Sequence, residues 1–137
     1  MARLKIDFGI DLGTTNSAIS VMENGKTKMH RTDTQRDTMP SCVMVTKKGF
    51  LVGDKSYAQL PKDKKKAFTN LDFESNIFIE FKRTMGNATK YITDKSIGVE
   101  LSSEELSAEV LKTLKSYVDD ENVKAAIITI PAAFEMN

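Results

Sequence analysis

Ile6, Phe8, Ile10 and Leu12 alternate with Asp7, Gly9, Asp11 and Gly13, and there the chain turns. A period of two is the signature of a strand, here with one apolar face and one face carrying the carboxylate of Asp11. Gly13-Thr14-Thr15 makes the turn, and Asn16-Ser17-Ala18-Ile19-Ser20-Val21 reads as the returning strand. Gly13 permits unusual dihedrals and lets a ligand approach the backbone closely. The N–H groups of the turn can cup an anion, and the hydroxyls of Thr14 and Thr15 can donate as well. A carboxylate beside an anion site makes chemical sense when a divalent cation lies between them. Mg²⁺ with phosphates fits, because Mg²⁺ keeps its waters and needs few protein carboxylates. On these residues alone, a hairpin with a tight turn and no ligand explains the pattern equally well.

Composition narrows the class. The chain has 137 residues, enough for one ordinary domain, and its 40% hydrophobic and 28% charged residues read as globular rather than disordered. Lys and Arg number 20 against 19 Asp and Glu, so the net charge of +1 gives no electrostatic case for nucleic acid or an anionic membrane as partner. No apolar run approaches membrane-spanning length, and Asp7 and Asp11 interrupt any signal-peptide core. The single cysteine, Cys42, excludes an internal disulfide framework and points to a reducing, cytoplasmic setting. It lies in a Val- and Met-rich strand and reads as core. His30 has no Cys or second His near it, so neither a zinc site nor a His-based triad is expected.

Asn24-Gly25 is a hairpin turn signal, with a third strand expected over 27–31 and a polar loop over 32–39 that ends at Pro40. Residues 42–46 and 50–52 form a second hairpin around Lys47-Lys48-Gly49. Asp54 is placed to cap a short helix over 55–60, which Pro61 ends, and the basic run 62–66 reads as a solvated loop. Ile77, Phe78, Phe81 and Met85 share a helical face, so the spacing predicts a helix over 77–85 stopped by Gly86. Lys82 and Arg83 lie just off that face, and on the residues alone they are two solvated charges near a helix C-terminus. Short strands are expected over 91–93 and 97–101. Ser102 with Glu105 is a capping box, opening a helix over 103–117 whose stripe is Leu106, Val110, Leu111, Leu114 and Val118. Residues 119–122 break that helix.

The strand running from Ala125 through Ile127 and Ile128 to Ile130 is almost continuously apolar, and Pro131 closes it. Continuous apolarity implies burial on both faces, as in a parallel strand, with helix 103–117 as the right-handed crossover back to the first strand. That helix covers one face, so the chain is expected to be a fragment or to take its missing layer from a partner.

Asp11 with Thr14-Thr15-Asn16 resembles the first phosphate motif of the actin-like ATPase superfamily. Thr38-Met39-Pro40-Ser41, Val52-Gly53-Asp54 with Ala58, and the run from Asn76 through Lys82-Arg83 to Gly86 resemble segments of its seventy-kilodalton heat-shock chaperones. So do the residues from Leu106 to Leu111 and from Ile127 to Ala132, and Asn16 matches the bacterial, DnaK-like members. The resemblance covers residues 6–134 in the family's order. It implies an α/β chain of the actin-like ATPase (ribonuclease-H-like) fold, present in part. Residues 1–39 and 103–137 would be part of the lower subdomain of lobe I, and 40–102 a small α+β subdomain inserted above it.

The resemblance also implies roles. Gly13, Thr14, Thr15 and Asn16 would hold the phosphates of ATP or ADP, Asp11 would face Mg²⁺ through water, and Lys82 would be catalytic. An ammonium there would stabilise charge spreading over the transferred phosphoryl group. Arg83 and Pro131 match positions tied to signalling between nucleotide and domain. The parent would be an ATP-hydrolysing chaperone with unfolded polypeptide clients and co-chaperones, and the fragment alone would be inactive. Ala133 in place of a tyrosine, the divergent Glu135-Met136-Asn137, and Ile77 and Phe78 in place of polar residues depart from the family pattern. A sugar-kinase-like phosphotransferase and an actin-like filament or interaction module share the first motif and remain alternatives. An open apolar edge at 125–130 would invite self-association.

Overall fold

The computed structural model describes residues 8–118 and 126–129. Expectations for Ile6, the break at 119–122, the ends of the last strand at Ala125 and Ile130, and Pro131 to Asn137 lie outside the described residues.

β1 (Phe8–Leu12) and β2 (Asn16–Glu23) pair antiparallel, with Ile10 opposite Ile19 and Leu12 opposite Ser17. Phe8, Ile10 and Leu12 are buried and Asp11 is exposed, as the alternation requires. Asn24 and Gly25 take φ of 52° and 76°, the two positive values of the tight hairpin turn whose twist suits the flanking strands. β3 (Lys26–Met29) returns along β2 and ends before His30, whose N–H is held by the Ile19 carbonyl at 2.8 Å. β4 (Met39–Pro40) pairs with the start of β2.

β5 (Cys42–Thr46) and β6 (Gly49–Val52) form the second hairpin. Cys42 is free and buried, and burial pushes its thiol pKa up, as befits a core residue.

Several local readings are corrected. The helix expected over 55–60 is only α1 (Asp54–Tyr57), whose N-cap is Gly53. Asp54 makes no cap bond; its carboxylate accepts from Thr34 Oγ1 at 2.6 Å and pairs with Arg36 at 3.9 Å. Pro61 begins a helix rather than ending one: it occupies the first turn of α2 (Leu60–Thr69), where a missing N–H costs nothing. The basic run is therefore helical, although it is solvated as expected, and α2 buries none of its residues. The largest correction concerns 77–85. Residues Ile77–Ile79 form β7, which pairs with β5 from Cys42 to Met44. Glu80 then takes φ 54°, and Phe81–Thr84 form one turn of 3-10 helix. Ile77-Phe78-Ile79 is equally a run of three strand-favouring apolar residues, and the open edge of β5 favours the strand.

β8 (Lys90–Ile92) and β9 (Glu100–Ser102) make a separate two-stranded sheet. The expected strand at 97–101 is displaced by a turn at Asp94, whose carboxylate accepts from Ser96 Oγ at 2.6 Å and from the Ile97 N–H at 3.1 Å. The Ser96 bond is the main reason that carboxyl's pKa is lowered.

α3 (Ser103–Ser116) opens on the anticipated capping box: Ser102 Oγ accepts from the Glu105 N–H at 3.1 Å, and Glu105 accepts from the Ser102 N–H. Leu106, Val110 and Leu114 are fully buried. They pack the helix onto β1 and β2 of one sheet and onto β5 and β6 of the other. After α3, β10 (Ala126–Thr129) lies parallel beside β1, giving the order β10-β1-β2-β3. The crossover is therefore parallel as read. Ile128 lies beside Ile10 in that register and is 41% exposed. No described helix is long and apolar enough to cross a membrane.

Tyr117, at the end of α3, donates to Asp33 Oδ1 at 3.3 Å. Burial first and the neighbouring Asp33 charge second push its phenol pKa up to about 12.

Two outcomes follow. Ser102→Ala should destabilise the chain by about 1 kcal/mol, read from urea denaturation, because it orphans an N-terminal donor of α3. The Tyr117 phenol favours its protonated form in the folded state. Its contribution is therefore complete below about pH 10, the unfolded value, and is lost as pH rises through the folded value of about 12. The difference in phenolate absorbance between wild type and Tyr117→Phe should titrate at that higher pH.

Candidate functional site

The site forms where β1 ends. Gly13, Thr14 and Thr15 carry the chain from Leu12 to Asn16, and the turn is tight enough to demand glycine. A Cβ on Gly13 would overlap the Asn16 carbonyl oxygen and lie 3.2 Å from its carbon. The turn is tied down from within the hairpin and from the strand beside it. The Gly13 N–H donates to Ser17 Oγ at 3.2 Å, and Ser41 Oγ donates to the Gly13 carbonyl at 2.8 Å. Ser17 Oγ and Ser41 Oγ are 2.8 Å apart and both serines are buried, while the Ser41 N–H donates to the Thr15 carbonyl at 2.8 Å. The Gly13 N–H is thus spent inside the protein. Among the described residues, the N–H groups and hydroxyls of Thr14 and Thr15 have no protein partner. Asn16 is exposed at the mouth of the turn, and Asp11 lies on the exposed face of β1.

Lys82 reaches this turn from 70 residues away. Its side chain is buried at 8% exposure, and Nζ donates to the Leu12 carbonyl, the last group before Gly13. The solvated charge expected from the residues alone is therefore not observed at Lys82. It is observed at Arg83, which is exposed and pairs with Glu80 at 3.4 Å.

Two ties between the 3-10 turn and α3 place Lys82. Thr84 Oγ1 bonds Ser103 Oγ, Tyr91 Oη at 2.8 Å and the Phe81 carbonyl at 3.0 Å. The Gly86 N–H donates to Glu104 at 2.8 Å, and that bond is the main reason the Glu104 carboxyl's pKa is lowered.

The donors of this corner are of a kind that suits an anion. They are spare N–H groups, hydroxyls and a buried ammonium held by a neutral carbonyl, and a buried cation is better satisfied by an anion than by a carbonyl alone. No group of three metal-ligating side chains occurs among the described residues. Asp11, on the exposed face of β1, is a carboxylate of the kind that can face a hydrated Mg²⁺.

The sequence reading assigned no role to Ser17, Ser41 or Thr84. Ser17 follows Asn16 at the start of the returning strand and Ser41 closes the Thr38-Met39-Pro40-Ser41 segment, and the one signal each gives is a hydroxyl followed by apolar strand residues.

Comparison with known proteins identifies the family of this α/β chain. The Hsp70 protein family model matches residues 7–137, and the chain belongs to that family. It is 37% identical over 131 residues to a chaperone protein DnaK of Mycoplasmoides gallisepticum, covering 93% of this chain and 20% of that protein. It is 36% identical to the DnaK of Metamycoplasma hominis, with 93% and 20% covered. It is 35% identical to that of Mycoplasma mycoides subsp. mycoides SC, with 98% and 21% covered. The chain thus spans about a fifth of the length of the curated relatives it matches. Membership implies the actin-like ATPase fold, with which the mixed α/β layout agrees.

Gly13→Ala should destabilise the chain by about 1–3 kcal/mol, because the new methyl meets backbone that cannot yield. Urea denaturation of the variant beside wild type measures it.

Proposed function

We propose that the full-length protein is an ATP-dependent chaperone, and that this chain carries the first of its phosphate clamps. The observation that carries the reading is the bond from Lys82 Nζ to the carbonyl just before Gly13, which sets a buried cation against a turn with unspent donors. Thr14, Thr15 and Asn16 offer N–H groups to the β- and γ-phosphates. The Lys82 ammonium, already desolvated, stabilises negative charge on the γ-phosphoryl group as it is transferred to water. Asp11 would hold Mg²⁺ through water, and the ion would supply neutralisation of phosphate charge.

Hydrolysis controls the grip on unfolded polypeptide clients, with co-chaperones acting on the cycle in the cytoplasm. Residues 1–39 with 103–137 form part of the lower subdomain of lobe I, and 40–102 form the subdomain inserted above it. One clamp is half a cleft, so the chain by itself is not expected to turn over ATP. The sheet edge at β10 supports self-association of the isolated chain, since Ile128 is exposed there. Family membership favours neither a sugar-kinase-like phosphotransferase nor a filament protein.

In the full-length protein, Lys82→Met should lower kcat for ATP hydrolysis by about 10²–10³-fold while leaving ATP affinity within a few-fold. Single-turnover hydrolysis and equilibrium binding separate the two. Hydrolysis at the wild-type rate would remove Lys82 from the chemistry.

A further inference from the structure

We propose that Ser17 and Ser41 are positioning residues for the phosphate turn. With Gly13 they close a ring of hydrogen bonds that sets the direction of the N–H groups a phosphate would use. This rests on the functional reading above and adds residues to which that reading gives no role.

The proton count fixes the ring. Each serine hydroxyl has one proton to give. Ser41 gives its own to the Gly13 carbonyl, so the contact between the two hydroxyls has Ser17 as donor. Ser17 Oγ in turn accepts the Gly13 N–H. The bonds therefore run in one sense, from Gly13 N–H to Ser17, from Ser17 to Ser41, and from Ser41 back to the Gly13 carbonyl.

Peptide planarity carries the effect outward. No peptide bond among the described residues is cis, so in each peptide unit of the turn the C=O and the following N–H point in opposite directions. Ser41 holds the Gly13 carbonyl with its hydroxyl and the Thr15 carbonyl with its own N–H. The N–H groups of Thr14 and Asn16 are thereby turned away from Ser41. The preceding peptide is held at both ends as well: its N–H, from Gly13, bonds Ser17, and its C=O, from Leu12, receives Lys82. One unit thus links the serine ring to the lysine. Ser41 is buried where β4 gives way to β5, so the ring is braced by the second sheet and not by the hairpin alone.

The test uses Ser41→Ala and the milder Ser17→Ala in the full-length protein, with melting temperature as a control for folding. ATP and adenosine affinities are measured separately. If the ring aims the phosphate donors, Ser41→Ala weakens ATP binding by about tenfold, the scale of one hydrogen bond network lost. Ser17→Ala weakens it less, and adenosine binding stays within twofold for both. Unchanged ATP affinity, or equal losses for ATP and adenosine, would overturn the proposal.

Wild-type protein that binds no ATP would overturn the functional reading instead. The ring would then be judged by hydrogen exchange of the peptide spanning the turn in the nucleotide-free protein. About tenfold faster exchange in either variant supports it, and unaltered exchange in both refutes it.

Discussion

The buried stripe of α3 is the contact on which the rest of the chain depends. Leu106, Val110 and Leu114 are each completely removed from water, at roughly 2 kcal/mol of stabilisation apiece. The same stripe meets β1 and β2 on one side and β5 and β6 on the other. Two sheets that share no strand are thereby held against one helix. The site is a product of that seating. The turn after β1 belongs to the first sheet, Ser41 leads into the second, and Lys82 is delivered by a 3-10 turn tied to the first residues of α3.

Three departures from local preference fall in this corner or in the segment that delivers Lys82 to it. Glu80 takes a left-handed φ of 54°, Gly13 sits where no Cβ fits, and Lys82 is buried with a carbonyl for its ammonium. Each is costly in isolation, and a fold holds such features only where surrounding contacts over-determine them. The contacts are visible. Thr84 gathers three partners behind the lysine, and the two serines clamp the glycine from the far side.

Much of this was legible in the sequence wherever one local signal stood unopposed. The alternation from Phe8 to Leu12, the Asn24-Gly25 turn and the Ser102/Glu105 capping box each admit a single economical structure, and each is found. Legibility failed where one pattern fitted two structures. Ile77-Phe78-Ile79 suits a helix face and a strand alike, and only the unpaired edge of β5 decides between them. Pro61 is compatible with the end of one helix and the first turn of the next, and the structure takes the second. In the site, Lys82 reads as a solvated charge on the residues alone and as catalytic only through the family resemblance, and the structure buries it against Leu12. The serine ring could not be read at all, because it joins Ser17 to Ser41 through space and leaves no periodic trace in the chain.

The central claim is that Lys82 and the Gly13 turn face one phosphate chain. The most direct measurement is a crystal structure of the full-length protein with Mg²⁺ and a non-hydrolysable ATP analogue. The account predicts the terminal phosphates on the N–H groups of Thr14 to Asn16, with Lys82 Nζ drawn from the Leu12 carbonyl to the γ-phosphate. Phosphates bound away from that turn, with Lys82 still on Leu12, would contradict it.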